Sequence, residues 1–399
     1  MRALRLAFIV DRYGIDVAGG AELLCRELAK RLSVNNTVEV ISTCAIDYMT
    51  WANEYPEGTQ EVEGVKVHRF KVDSPRDVKD FNEFSLKILG TQHTIQEELE
   101  WMKKQGPYSS DLFKFLATNR EGYDIFLFFS YLYCTTFFGM KEVSHKSVLI
   151  PLAHDEPPIY LAIFKEVFNS PKGIIYMTPE EKRLVNKIFH NDRIPSVIAG
   201  FGIEEPIDAN EIRFRRKLNL WEPYILYLGR IDESKGCREL IENFLRYKRD
   251  SDSKIKLVLL GKKVMPIPPN PEVIWAGFLP EYEFDAIQGS SLVVMPSRFE
   301  SLSIATLEAM IMAKPVLVNG SCDVLKAHCL RSNGGLYYSN YDEFSAALDL
   351  LLNDELLARR LGENGRKYVL ENYSWEIVQK KYEDFLAKIF ATTQGPLYL

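Results

Sequence analysis

Two glutamates, Glu300 and Glu308, stand eight positions apart after an apolar run at Leu292–Met295. The run predicts a strand, so Glu300 falls in the loop at its carboxyl end, and Glu308 falls in a predicted helix at 306–312. Backbone N–H groups between them can hold a phosphate at the start of the helix, and the second carboxylate can accept hydrogen bonds from a ribose diol. In the alternative interpretation, Glu308 binds no ligand and only stabilises the N-terminal end of its helix.

Two cations, Arg230 and Lys235, lie in the segment GRIDESKG, which follows an apolar run at Tyr224–Leu228. We expect them at the carboxyl end of a strand, where open α/β sheets bind their ligands. Arginine holds a diphosphate through paired hydrogen bonds, and lysine attracts it as a point charge. The alternative interpretation is two solvated loop charges.

A glycine pair, Gly19 and Gly20, separates the first predicted strand from a predicted helix at 21–32. Glycines at this point let backbone N–H groups approach an anion at the helix N-terminus. The same pair also fits an ordinary tight turn. The sequence contains neither GxGxxG nor GxxxxGK[ST], which disfavours a dinucleotide-dependent dehydrogenase and a P-loop enzyme.

The composition disfavours several further classes of protein. With 49 basic and 55 acidic residues the net charge is −6, so no nucleic-acid partner is expected. The six cysteines form no CxxC pair and no zinc-like spacing with the histidines, so we expect no metal and no cofactor. No apolar stretch reaches the length of about 18 residues that a membrane span needs, and the N-terminus is typical of a strand rather than a signal peptide. These features favour a cytoplasmic protein.

Short apolar runs alternate with helix-like stretches in two successive series, which predicts two parallel sheets covered on both faces. We therefore predict an α/β protein with two Rossmann-like, doubly wound domains at 1–200 and 201–374, followed by a helix from Ser374. Residues 80–120 depart from the rhythm, with one helix predicted at 92–104. The predicted strands are 4–10, 38–42, 65–70, 123–129, 148–152, 174–177 and 195–198 in the first series, and 224–228, 256–260, 273–276, 292–295, 315–318 and 336–338 in the second.

Taken together, these segments resemble the retaining glycosyltransferases of family 4, which have the GT-B fold. The resemblance rests on GGAE near the N-terminus, GRIDESKG, PSRFESLSIATLEAM with its E-x7-E pattern, and AKPVLVNG. It covers most of the chain, is strong at 220–340 and is weakest at 45–120. It implies two domains that face a central cleft, a helix at 375–391 that crosses back to the N-terminal domain, and a place in the biosynthesis of bacterial cell-surface polysaccharide.

The resemblance assigns a role to each matching residue. Arg230 and Lys235 match the cations that hold the donor diphosphate. Glu300 matches the carboxylate at the transferred sugar, and Glu308 matches the carboxylate that binds the ribose. His154, in PLAHDEPP, resembles a histidine beside the donor sugar, although a lone loop histidine is often incidental. The other donor-binding positions implied are Gly19, Gly20, Phe278, Leu279, Ser301, Leu302, Ser303 and Ile304.

The implied donor is a UDP-, GDP- or other nucleoside-diphosphate sugar, and the implied acceptor is a saccharide or a lipid-linked saccharide. The implied reaction is metal-independent and retains configuration through same-face attack. Asp155, Tyr108 and Tyr131 are candidate acceptor residues. Basic segments at 213–217 and 101–104 are candidates for peripheral contact with the inner face of the cytoplasmic membrane.

Other functions stay open at the level of sequence. A GT-B nucleotide-sugar epimerase or hydrolase would use a similar diphosphate site, and a non-catalytic module would bind the nucleotide sugar without turnover. A Rossmann oxidoreductase would bind nicotinamide. The sequence has Ser303 where many family members have glycine, so the donor identity does not transfer from them.

Overall fold

Two mainly parallel sheets carry the fold. The computed structural model describes residues 2–393, and the contacts divide the chain into two units. Unit 1 runs to Gly200 and resumes at Gln379, whereas unit 2 is Phe201–Val378. The domain bounds expected from the sequence, at 200/201 and 374/375, fall within a few residues of these divisions.

Unit 1 is built on an eight-stranded sheet within the described part of the chain. Its strands are β1 (Arg5–Ile9), β2 (Thr37–Thr43), β3 (Gly58–Val62), β4 (Val65–Phe70), β5 (Ile125–Phe129), β6 (Ser147–Ile150), β7 (Gly173–Tyr176) and β8 (Ser196–Ile198). They are ordered β3-β4-β2-β1-β5-β6-β7-β8, with β3 antiparallel to β4 and the other pairs parallel. Every residue of β5 (IFLFF) is buried, as expected for a strand covered on both faces.

Helices cover the sheet of unit 1. They are α1 (Gly20–Leu32), α2 (Val78–Gly90), α3 (Ile95–Gln105), α4 (Ser110–Thr118), α5 (Cys134–Val143), α6 (Phe164–Asn169) and α7 (Pro179–Phe189). The start of α3 is fixed by a capping box, in which Thr94 and Glu97 each accept from the other's backbone N–H. Residues 80–120 thus hold α2, α3 and α4 rather than the single helix predicted, and Trp101, Met102 and Leu112 contribute to the core.

Unit 2 contains a six-stranded parallel sheet among the described residues. Its strands are β9 (Tyr224–Leu228), β10 (Lys256–Leu260), β11 (Val273–Gly277), β12 (Leu292–Met295), β13 (Val316–Asn319) and β14 (Gly335–Tyr338). The order β11-β10-β9-β12-β13-β14 is that of a doubly wound nucleotide-binding sheet. The chain adds β10 and β11 on one side of β9 and then β12, β13 and β14 on the other side, so the strand order reverses between β9 and β12. Ligands bind at such a reversal, outside the carboxyl ends of the strands. The predicted class of two Rossmann-like α/β domains is confirmed.

The helices of unit 2 connect and cover these strands. They are α8 (Glu211–Leu218), α9 (Cys237–Asp250), α10 (Glu283–Gly289), α11 (Ile304–Ile311), α12 (Asp323–Ser332), α13 (Tyr341–Asn353) and α14 (Glu355–Asn372). The last helix, α15 (Trp375–Thr393), begins in unit 2 and belongs to unit 1 from Gln379 onwards.

Candidate functional site

The loop between β9 and α9 is organised by a buried carboxylate, Asp232. Its Oδ1 accepts from the Lys235 backbone N–H at 2.9 Å and from Ser234 Oγ at 2.7 Å, while its Oδ2 accepts from Arg230 Nε. Burial acts to raise the pKa of Asp232, but the Ser234 hydrogen bond and the Arg230 charge outweigh it and lower the pKa below its usual value. Asp232 therefore stays ionised, and it holds the Arg230 side chain and the Lys235 backbone at the switch point of the sheet.

Lys235 joins this loop to the segment that follows β12. Its Nζ donates to Glu300 Oε1 at 2.8 Å, and the Glu300 side chain is only 13% exposed. The two residues are 65 positions apart in sequence, so the contact exists only because β9 and β12 are neighbours in the sheet. The predicted cation and the predicted sugar carboxylate thus meet directly.

The backbone at Pro296 anchors the loop that carries Glu300. Its carbonyl oxygen accepts from Asn319 Nδ2 at 3.0 Å, at the end of β13. Gly236 lies against the same carbonyl: a Cβ on Gly236 would come within 2.4 Å of the Pro296 oxygen, and its φ of 74° is also a glycine conformation. The two loops are therefore fixed to each other by backbone packing as well as by the Lys235–Glu300 ion pair.

The start of α11 brings the residues between the two glutamates into a tight turn. Leu302 and Ser303 are buried, and Ser301 and Ile304 are half-buried. Ser303 precedes α11 with φ 69° and ψ 84°, and its Oγ is 2.8 Å from Thr306 Oγ1. The first N–H groups of α11 have no partner within the helix and lie in the segment between Glu300 and Glu308.

Glu308, on α11, is paired with a second carboxyl group, that of Glu283 at the start of α10. A hydrogen bond joins the two side chains, which requires at least one of them to carry a proton. Burial and the neighbouring carboxylate raise the pKa of Glu308 well above its usual value, and burial likewise raises that of Glu283. The pair can therefore both donate to and accept from a diol.

Phe278 and Leu279 follow β11 at the same edge of the sheet. Phe278 is 58% exposed, and the neighbouring Trp275 is 44% exposed with its Nε1 donating to Gly261 O at 3.0 Å. Leu279 is half-buried. An exposed phenylalanine ring beside a strand end is available to stack on a flat ligand.

In unit 1, the glycine pair lies beside a buried ion pair rather than an open turn. Arg12, after β1, donates to Glu22 on α1 and to Ile46 O at 2.7 Å. A Cβ on Gly19 would be 2.1 Å from Glu22 Oε2, whereas one on Gly20 would meet nothing within 4 Å. A glycine at position 19 thus leaves room for the Glu22 carboxylate at the N-terminus of α1. The sequence did not suggest this reason for the glycine.

The loop after β6 carries His154. Its Nδ1 is 3.3 Å from Glu156 Oε1, and Tyr131 donates to the same oxygen at 3.3 Å. Asp155, a candidate acceptor residue, is exposed and accepts from Tyr160 Oη at 2.6 Å. Glu156, not Asp155, is therefore the acidic neighbour of His154.

Of the expected acceptor residues, Tyr131 lies in the core of unit 1 and Tyr108 packs against that core. Tyr131 is 1% exposed, and its ring packs on Phe164 and Phe168. It cannot stack on a sugar without opening that core. Tyr108 is half-buried and makes edge contacts with Phe113 and Phe138.

The basic segments expected at a membrane have internal partners. Trp101 is 2% exposed and its Nε1 donates to Ser85, while Lys104 is bonded to Asp80. Arg213 pairs with Asp208 and Asp285, and Arg215 donates to backbone oxygens, including Gly289 O at 2.9 Å. These segments stabilise their own unit, and the prediction of a membrane contact gains no support from them.

Three residues that the sequence did not single out belong to the site in unit 2: Asp232, Glu283 and His328. Asp232 had a signal, because an aspartate near the start of a loop is typical of a turn that its own side chain closes by a hydrogen bond to the following backbone. His328 donates to the backbone of Leu302 at 2.9 Å, and neither it nor Glu283 lies in a recognisable motif. Sequence spacing does not show that α10 and α12 reach this site.

Among residues 2–393, which the structure describes, no group of three or more His, Cys, Asp or Glu is arranged to hold a metal ion. None of the helices described there combines the length and the apolar character that crossing a membrane requires.

The chain is similar to known glycosyltransferases. Residues 208–368 match the family described as Glycosyl transferases group 1. An uncharacterized glycosyltransferase, MJ1607 of Methanocaldococcus jannaschii, is 24% identical over 406 residues, which cover 95% of this chain and 96% of that protein.

Solved structures are similar over nearly the whole chain. Sucrose-phosphate synthase from Thermosynechococcus elongatus has a TM-score of 0.73 at 17% identity, covering 98% of this chain and 100% of that one. Anabaena Alr3699/HepE in complex with UDP-glucose has a TM-score of 0.70 at 12% identity, covering 96% and 100%. The chain thus has the GT-B fold, and its residues 208–368 match the glycosyltransferase group 1 family; together these support a GT-B glycosyltransferase.

Proposed function

We propose that the protein is a retaining, family 4-type glycosyltransferase that moves a sugar from a nucleoside-diphosphate sugar to a saccharide or lipid-linked saccharide, without a metal ion. The observation that carries this proposal is the 2.8 Å contact between Lys235 Nζ and Glu300 Oε1. It brings a cation suited to the leaving phosphate next to a carboxylate suited to sugar hydroxyls, at the switch point where doubly wound sheets bind nucleotides. HepE was solved with UDP-glucose, which supports a donor of this class.

The donor fits the site in a definite orientation. Arg230 and Lys235 hold the diphosphate, and the N–H groups at the start of α11 supplement them. Glu300 accepts hydrogen bonds from the sugar. The protonated Glu283–Glu308 pair binds the ribose diol, and Phe278 with Leu279 flanks the base.

Bond breaking places new negative charge on the β-phosphate. The bond from the anomeric carbon to the phosphate oxygen breaks, and its electron pair stays on that oxygen. An acceptor hydroxyl attacks the same face of the sugar and gives its proton to the leaving phosphate. Arg230 and Lys235 stabilise that charge as preorganised cations, the role that a metal ion has in other transferases. Before the donor binds, both cations are already held in place by Asp232 and Glu300.

The first test is a thermal-shift screen against UDP-, GDP-, ADP- and dTDP-sugars and their nucleoside diphosphates, without metal and then with Mg²⁺. A ligand at 100 times its dissociation constant adds about 2.7 kcal/mol of stability. We expect one nucleotide family to raise the melting temperature without metal. If no nucleotide shifts it, the proposed donor site is wrong.

Variants then test the assigned residues. We expect Lys235→Ala to lower kcat by roughly 10²–10³, because it removes one preorganised charge from the leaving group. Glu308→Ala should weaken donor binding. Arg238→Ala is the matched control, since Arg238 lies on α9 close to Lys235 but pairs with Glu233 at the surface. Transfer to an acceptor, rather than free sugar or an epimerised donor, separates a transferase from a hydrolase or epimerase.

A further inference from the structure

His328 is a buried histidine that does not belong to any motif of the site. It lies on α12, is 0% exposed, and makes two hydrogen bonds. Its Nε2 is 2.9 Å from Leu302 O, and its Nδ1 is 3.1 Å from Tyr368 Oη. A carbonyl oxygen can only accept, so Nε2 carries the proton, and Nδ1 accepts from the tyrosine. Burial lowers the pKa of His328 to about 4, so the ring is neutral at physiological pH.

A short chain of hydrogen bonds fixes the imidazole ring of His328 on its Nδ1 side. Tyr368, on α14, also accepts from Arg331 Nε at 3.3 Å and lies 3.3 Å from Tyr373 Oη. The rings of Tyr368 and Tyr373 both meet His328 edge-on, with centroids 5.9 Å apart. The imidazole is therefore held in one orientation and one tautomer by α12 and α14.

The hydrogen bond to Leu302 fixes one peptide plane in the loop that carries Glu300. In a trans peptide the C=O and the next N–H point in opposite directions. Because Leu302 O points at His328, the Ser303 N–H points away from α12. Ser303 then takes its left-handed conformation, from which α11 begins. The direction of the first N–H groups of α11 therefore depends on the position of the Leu302 carbonyl.

We infer that His328 is a positioning residue for the donor: by holding the Leu302 carbonyl, it aims the N–H groups of Ser303 and Ile304 at the phosphate and sugar. This inference rests on the proposed function, since it assigns the donor to that backbone. His328 itself touches no substrate. Its contribution is that the loop is correctly shaped before the donor arrives, so no binding energy is used to reshape it.

Two substitutions separate this role from simple packing. The amide nitrogen of glutamine reaches the position of Nε2, whereas that of asparagine reaches only the position of Nδ1. We expect His328→Gln to keep the KM for the donor within about threefold, and His328→Asn to raise it about tenfold, as loss of one hydrogen bond to a buried carbonyl implies. The KM for the acceptor should stay unchanged in both. Tyr368→Phe removes the hydrogen bond to His328 Nδ1 but keeps the one from Nε2 to Leu302, so it should raise the donor KM less than His328→Asn does.

Hydrogen exchange supplies a measurement that does not depend on activity. In His328→Asn, the amides of residues 301–306 should exchange faster than in His328→Gln, at equal global stability. Equal donor KM values and equal exchange in the two variants would overturn the inference, as would a loss in both that follows their melting temperatures. If instead wild-type protein binds no nucleotide sugar and Lys235→Ala changes nothing, the proposed function fails, while the exchange data still decide whether His328 holds the loop.

Discussion

Asp11 carries a buried carboxyl group whose protonation links the stability of unit 1 to pH. Asp11 follows β1 and is 2% exposed, and its side chain accepts from Thr135. Its backbone oxygen accepts from Thr43 Oγ1 at 2.6 Å. Burial raises the pKa of Asp11 to about 8, and the Glu22 carboxylate acts in the same direction while Arg12 opposes it. The folded state therefore holds a proton there that the unfolded chain releases near its ordinary pKa of about 4.

Asp11→Asn should remove a pH dependence of stability. A carboxyl whose pKa is higher in the folded state stabilises the fold at low pH, and this contribution is lost as the pH rises from about 4 through about 8. We expect wild type to lose on the order of 5 kcal/mol relative to Asp11→Asn across that window. Urea unfolding at several pH values measures both curves. If the stabilities of wild type and Asp11→Asn change with pH in parallel, the pKa assigned to Asp11 is wrong. Glu181 has a similarly raised pKa, but it is present in both proteins, so its effect cancels when the two stabilities are subtracted.

At the residue level, the sequence singled out charged residues that lie close together in unit 2, but not the groups that contact them. Arg230, Lys235 and Glu300, whose roles in donor binding stay predictions, were singled out because each lies in the loop after a predicted strand. Glu283 and His328 were not, because they come from helices whose approach depends on tertiary packing. Tyr131 was misassigned because an aromatic residue after a strand looks the same whether it faces a cleft or the core.

At the scale of elements, the start of α11 combines a favourable contact with a strained backbone. Ser303 has φ 69°, a region that glycine enters at little cost and other residues rarely enter. Its Oγ, 2.8 Å from Thr306 Oγ1, provides a compensating hydrogen bond. These two effects are each worth about 1 kcal/mol, so they can be separated only by comparing two substitutions.

We expect Ser303→Gly to be close to wild type in stability and Ser303→Ala to be less stable by about 1 kcal/mol. Glycine removes both the strain and the hydrogen bond, whereas alanine loses the hydrogen bond and keeps the strain. Denaturant unfolding of the three proteins gives the free energies. If alanine is as stable as glycine, the left-handed conformation does not control the start of α11.

The elements that the sequence predicted best are the strands buried on both faces. The predicted strands Tyr224–Leu228 and Leu292–Met295 have the same first and last residues as β9 and β12. A strand buried on both faces appears in the sequence as a continuous apolar run, so the ends of the run mark the ends of the strand. β3 (Gly58–Val62) was missed, since its sequence GTQEV is polar and it pairs antiparallel at the sheet edge. Between residues 80 and 120, α2 and α4 were missed, because helices in proteins draw most of their stability from tertiary packing rather than from the intrinsic preference of their residues.

At the scale of the whole molecule, α15 completes the core of unit 1 although it is last in sequence. Tyr382 is 0% exposed and donates to Gly200 O at 3.1 Å. Phe385 and Ile389 lie against Gly173 at the start of β7, where a Cβ would be 2.8 Å from either side chain. The candidate donor residues Lys235, Glu300 and Glu308, by contrast, all lie in unit 2.

Because of this division, we expect a mutation at Tyr382 to change the stability of unit 1 and the bound donor to change the stability of unit 2. Tyr382→Ala should lower the stability of unit 1 by about 3–5 kcal/mol, as loss of a large buried ring does, whereas Tyr382→Phe should cost only about 1 kcal/mol for the hydrogen bond. The donor at 100 times its dissociation constant should stabilise unit 2 by about 2.7 kcal/mol in wild type and in both variants. Hydrogen exchange resolved along the chain distinguishes the two units. Donor protection centred on residues 1–200 would refute the location of the site, because every group that we assign to the diphosphate and ribose lies beyond Gly200.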